Sequence, residues 1–174
     1  MKRPLVWWQS AEFLVIALGG TLLHFLYEWS GNSPLIAPFS GVNESTFEHM
    51  KLFFWPAFLF ALLQAPFFKK HSDFWCVKLS GILLGLSLIP FLFYGYNGLI
   101  GKSPAWVNIT IFFLSAAATA LYEARLFKKE SVRCKSQAVA FAILLLIALL
   151  FVLFTFRPPM LALFKDPQTG GYGI

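Results

Sequence analysis

Residues 137–156 read QAVAFAILLLIALLFVLFTF, an apolar run with no charged side chain. Wound as an α-helix at about 1.5 Å per residue, such a run reaches roughly 30 Å, the thickness of a bilayer's hydrocarbon core. A helix at the surface of a water-soluble domain needs a polar face, and this run offers none. Four more runs of the same kind lie upstream, at residues 11–29, 47–68, 74–94 and 105–127. Apolar side chains in them are continuous rather than alternating, which excludes a membrane β-barrel. An open sheet would leave backbone N–H and C=O groups unpaired in lipid. The expected fold class is therefore all-α, an integral membrane bundle of five transmembrane helices forming one transmembrane domain, residues 1–174.

Composition leads to the same place. The chain is 58% hydrophobic and 13% charged, whereas soluble domains carry about 25% charged residues. That shortage leaves too little charge to cover a water-facing surface, so the expected surroundings are the lipid bilayer, and the expected location is the cell membrane as a multi-pass protein. The net charge of +6 does not signal nucleic acid, because the basic residues lie in short loops rather than along a water-facing stripe. They act instead as a topology signal. Lys2, Arg3, Lys69, Lys70, Lys78, Arg125, Lys128, Lys129, Arg133 and Lys135 fall on one side, ten residues against Lys51, Lys102, Arg157 and Lys165 on the other. The excess places the N-terminus in the cytoplasm and the C-terminus outside. The first span follows a charged start but is longer than a signal-peptide core and lacks a small-residue cleavage site, so it is expected to be retained. Cys76 and Cys134 form no CxxC pair or metal spacing, and on the cytoplasmic side they are expected as reduced thiols without a role.

With five crossings, the polar residues of all five spans gather at one leaflet. His24 and Glu28 lie in the outer part of the first span, four residues apart and so on one helix face. Asn43, Glu44, Glu48, His49 and Lys51 open the second. Asn108 begins the fourth, Arg157 ends the fifth, and Asp166 follows in the tail. Ser45 with Glu48 fits the S-x-x-E capping box, and Asn43 is an alternative cap. His49 is turned about 100° from Glu48, so the two side chains address different neighbours. Ionisable groups inside a span are costly unless they face protein or a water cavity. The expectation is an extracytoplasmic polar pocket that binds a small ligand or ion.

The alternative is a metal-dependent intramembrane hydrolase acting on a lipid-like substrate, in which His24, Glu28 and His49 hold a divalent metal such as zinc and a carboxylate serves as base. No H-E-x-x-H motif supports it. A third reading is an accessory subunit of a membrane complex. As a structural alternative, Glu28 pairs with Lys51 or Arg157. Glu12, Gln64, Glu123 and Arg125 form a weaker group at the inner side, for which snorkelling is the ordinary explanation. The turn-rich tail, FKDPQTGGYG at residues 164–173, is expected to fold back over the outer cluster.

The segment from Gly41 to Lys51, GVNESTFEHMK, resembles one found in an uncharacterised bacterial family of small multi-pass membrane proteins with a Val-Asn-Glu-Ser…Glu-His…Lys motif. The His24-x-x-Tyr-Glu28 stretch and the Asp166-Pro-x-Thr-Gly170 ending are similar to that family as well. The resemblance implies a shared site at Asn43, Glu44, Glu48 and His49 without naming its chemistry. The seven-span zinc ceramidase-like hydrolases fit poorly, since this chain has too few spans and lacks their histidine pairs.

Overall fold

The computed structural model describes residues 2–69, 71–129 and 134–174, with side chains from Pro4 onward. Lys70 and Arg133, counted above toward the basic face, lie outside the described residues. Five α-helices follow in order: α1 (Lys2–Trp29), α2 (Thr46–Gln64), α3 (Phe74–Leu99), α4 (Ala105–Lys129) and α5 (Gln137–Phe156). All five are long and apolar enough to cross a membrane. Isolated pairing between Lys165 and Tyr172 is the one β-type contact among the described residues.

α2 is the central helix and is buried nearly all round, as expected for a helix that is hydrophobic on every side. α1 packs on α2 and α4, and α3 on α2, α4 and α5. The α3–α4 contact is the most extensive. It depends on Gly81 and Gly85, since a Cβ at Gly81 would meet the Glu123 side chain and one at Gly85 would meet Phe53 and Thr119. Small residues let helix backbones approach closely in lipid, where apolar burial alone drives little association. The Thr119 hydroxyl uses the approach to donate to the Gly81 carbonyl at 3.1 Å.

Pro56 lies inside α2 without ending it, and its ring rests against Gly19 of α1. Trp7, Trp29 and Trp106 are exposed near helix ends, where amphipathic rings favour the headgroup region. Trp55 is buried, and its indole N–H donates to the Pro38 carbonyl at 2.8 Å. The bond fixes the α1–α2 loop. A 3₁₀ turn, Ala37–Phe39, tucks Ala37 and Pro38 into the bundle. The Ser40 hydroxyl donates to the Leu23 carbonyl and accepts the Tyr27 N–H, sewing the loop to the end of α1.

Two expectations at the amino-terminal face are corrected. Glu12, Gln64 and Glu123 do not snorkel: all are fully buried, and Lys78 joins them from within α3 rather than marking a loop. Arg125 alone of that group is exposed. The cysteines are not isolated: Cys76 and Cys134 form a disulfide across 58 residues. The start of α3 abuts the start of α5, where the Gln137 side-chain carbonyl accepts the Trp75 N–H at 2.8 Å, and that packing brings the two sulfurs together.

Candidate functional site

The opposite end of the bundle is built around the first turn of α2. The Ser45 side chain caps the helix by accepting the Glu48 N–H. Reciprocity is split between two residues. Asn43 Oδ1 accepts the Ser45 N–H at 2.9 Å, while Glu48 Oε2 reaches further back to the Val42 N–H at 3.0 Å. Glu48 is thereby turned inward, where Lys51 Nζ lies 2.6 Å away. Lys51 also donates to the Ala37 carbonyl at 2.8 Å and to Thr155 Oγ1 of α5 at 3.0 Å. The buried lysine thus joins α2, α5 and the loop turn, and its partner is Glu48 rather than Glu28.

His49 faces the other way, as its angular offset from Glu48 requires. Its Nδ1 sits 2.9 Å from the Ser45 carbonyl, so Nδ1 carries the proton in that bond and Nε2 points outward. Glu44 occupies the space ahead of it. The His49 Nε2–Glu44 Oε2 separation is 3.6 Å and the His24 Nε2–Glu44 Oε1 separation is 3.4 Å. One carboxylate therefore stands between imidazoles from α1 and α2, with ring centroids 6.0 Å apart. Both separations exceed the usual 2.7–3.2 Å of an N–H···O hydrogen bond. The carboxylate is 37% exposed and keeps acceptor capacity for a third party.

These three side chains form the polar end of an open cleft of about 440 Å³ between α1, α2 and α4, within the size range of small-molecule sites. Its body is apolar, formed by Phe25, Leu52, Ile109, Phe112 and Phe113. Phe25, Ile109 and Phe113 are also exposed on the outside of the bundle, so the cleft opens sideways between α1 and α4. Among the described residues Glu44 is the one carboxylate in its lining, and neither lysine nor arginine lines it. A water-sized hollow of about 20 Å³ continues behind Glu44 and His49 toward Ile89 and Asn108.

The tail folds onto this end. Phe164 packs on Phe47, with ring centroids 4.5 Å apart, and Asn43 Nδ2 donates to the Gly173 carbonyl at 3.2 Å. Asp166 is buried. Burial pushes its carboxyl up, but bonds from the Thr169 hydroxyl and from the backbone amides of Gln168, Thr169 and Glu44 outweigh that and hold it below the usual carboxylate range. The Glu44 contact ties the tail to the residue at the centre of the site. Gln168 lines the cleft itself.

Of the residues singled out from sequence, His24, Glu44, His49 and Asn108 line the cleft. Asn43 and Asp166 stand beside Glu44 outside the lining, and Glu48 and Lys51 lie on the face of α2 turned toward α5. Glu28 and Arg157 stand outside the cleft. Among the described residues no three His, Cys, Asp or Glu side chains are grouped to hold a metal ion; Glu44, not Glu28, lies between the imidazoles. Thr21, Phe112 and Gln168 join the lining without any signal in the sequence. Phe112 reads as an ordinary core residue and Gln168 as part of a terminal turn, so their local context carries no mark of binding.

No curated protein and no solved structure matches the chain. One family model does match, over residues 2–174. That span takes in every helix, the capping segment and the tail, and on it the chain belongs to a family of unknown function, DUF6512.

Proposed function

We propose that this chain is a multi-pass protein of the cell membrane that binds a small amphipathic ligand in the α1–α2–α4 cleft. One observation carries the reading: a partly exposed carboxylate, Glu44, is held between two imidazoles at the polar end of an otherwise apolar, sideways-open cleft. Ligand sites are mostly apolar with a few convergent polar groups that fix orientation. Here the apolar wall suits an alkyl or aromatic body entering from the bilayer. The polar end suits a head rich in hydrogen-bond donors, an amine above all, because the carboxylate in the lining has no lysine or arginine beside it among the described residues. An anionic head would meet Glu44 with no such cation to offset the repulsion.

Photoaffinity labelling tests this with two probes of equal chain length, a diazirine-bearing alkylamine and the matching alkylcarboxylate, applied to the full chain in lipid nanodiscs. The amine is expected to label Ile109, Phe112 or Phe113, to be competed by unlabelled alkylamine, and to label far more than the carboxylate. Equal labelling by both probes, or labelling spread evenly over the lipid-facing helices, would overturn the proposal.

A further inference from the structure

The amino-terminal half of the bundle holds a second polar group, unconnected to the cleft. Glu12 of α1, Lys78 of α3 and Glu123 of α4 are each 0% exposed. Lys78 Nζ lies 2.7 Å from Glu12 Oε2 and 2.6 Å from Glu123 Oε2. The ammonium neutralises one carboxylate, and two are present. Among the described residues no second cation pairs with either carboxylate. If both carboxyls were ionised, the trio would carry a net negative charge shut off from bulk solvent. Uncompensated charge in such a place is the most costly arrangement a buried ion pair can adopt.

Hydrogen bonding points the same way. Glu12 Oε1 and Glu123 Oε1 are both buried without a donor. Buried acceptors of this kind are rare in folded proteins and call for an explanation. The two carboxyls meet on the one Lys78 ammonium, and as two carboxylates they could only accept, so neither could supply a donor to the other's Oε1. Gly81 is what admits Glu123 so close to α3, for a Cβ there would strike its carboxyl. Nearby, Gln9 sits three residues before Glu12, on the same face of α1. Gln64 donates weakly to the Trp8 carbonyl at 3.5 Å. Both amides are buried and hold unpartnered atoms, Gln9 Nε2 and Oε1 and Gln64 Oε1, so the polar interior extends from the trio toward the start of α1.

We infer that the Glu12–Lys78–Glu123 trio is a proton-binding site, holding one exchangeable proton shared between the two glutamates. With that proton the trio is neutral: one ammonium, one carboxylate and one carboxylic acid whose O–H donates to its neighbour. The acid supplies the donor that the carboxylate pair lacks, and Lys78 satisfies both remaining oxygens.

Infrared spectroscopy of the full chain in nanodiscs at neutral pH reads the proton directly, as the carbonyl stretch of a neutral carboxylic acid that shifts on exchange into deuterated water. Wild type is expected to show one such carboxyl. Glu123→Gln and Glu12→Gln, which mimic the protonated shape and so preserve folding, should each lose it, because the remaining glutamate pairs with Lys78 as a carboxylate. Lys78→Met should show two, since both acids must then be neutral. A wild-type spectrum without the band, or a band that survives unchanged in both glutamine variants, would overturn the site. Either result is independent of ligand binding in the cleft at the other end.

Discussion

Lys51 and Glu48 stand one helical turn apart at the start of α2, both buried, with Nζ 2.6 Å from Oε2. Neither serves the other alone. Lys51 holds the Ala37 carbonyl and Thr155, while Glu48 holds the Val42 amide. The pair thereby fixes the loop that delivers Glu44 to the cleft. Removing one member strands the other as a buried charge, at a cost of about 3–5 kcal/mol, whereas replacing both is far milder. Lys51→Met should therefore lower unfolding free energy by about that much, and Lys51→Met with Glu48→Gln should recover most of it. Steric-trapping or detergent-unfolding equilibria on the two proteins measure the difference; equal losses would show that the pair is not coupled.

Close packing of α3 gives a second prediction. Gly85→Ala places a methyl against Phe53 and Thr119, both fully buried, so overpacking should cost about 1–3 kcal/mol. Gly95 lies in the same helix, and a Cβ there would meet nothing within 4 Å. Gly95→Ala should be neutral or slightly stabilising, by up to about 1 kcal/mol from helix propensity. Thermal denaturation of both variants beside wild type checks the contrast.

The tail should respond to acid through Asp166. Its carboxyl is held below the usual carboxylate range, so its contribution is fully present above the ordinary aspartate value of about 3.9 and disappears as pH falls through the lower folded value. Docking of residues 164–174 is expected to be constant from neutral pH to about 5 and to loosen only in stronger acid. Hydrogen–deuterium exchange of the tail, corrected for intrinsic rate, follows it. Asp166→Asn should raise exchange at neutral pH and abolish the acid step.

The Cys76–Cys134 bond closes 58 residues of sequence. Loop-closure entropy of that size amounts to about 4 kcal/mol. Cys134→Ser should destabilise by up to that amount, and a reductant should reproduce the loss in wild type while leaving the variant unchanged. Unfolding equilibria with and without reductant give the answer, and mobility on a non-reducing gel reports the bond itself.

The five helices are legible in the sequence because each apolar run satisfies a length that lipid imposes, and because nothing in a run such as 137–156 offers water a face. The cap at Ser45 is legible too, from residue types whose short-range geometry is fixed by the helix itself. Long-range pairings are not. Lys78 stands four residues after Phe74 at the start of an apolar run, and only the packing of α1 and α3 on the same two helices, α2 and α4, turns it inward to Glu12 and Glu123. The cysteines carry no pairing signal at a separation of 58, since it is the abutting starts of α3 and α5 that join them. In the cleft, four-residue spacing suggests Glu28 as the companion of His24. The capping loop brings Glu44 instead, because Asn43 and Glu48 bend the chain back over the end of α1. Spacing within one helix says which residues share a face, but not which loop will cover it.

Glu44, as the group that receives a ligand's head, is the residue on which binding in the cleft most depends. Equilibrium binding of a fluorescent alkylamine to wild type and to Glu44→Gln, in nanodiscs of the same lipid so that partitioning cancels, tests it directly. Loss of a charge-assisted hydrogen bond is worth about 1.5–3 kcal/mol, so binding to Glu44→Gln should weaken by roughly tenfold or more, with the alkylcarboxylate probe indifferent or improved. Unchanged alkylamine affinity in a folded Glu44→Gln protein would contradict it.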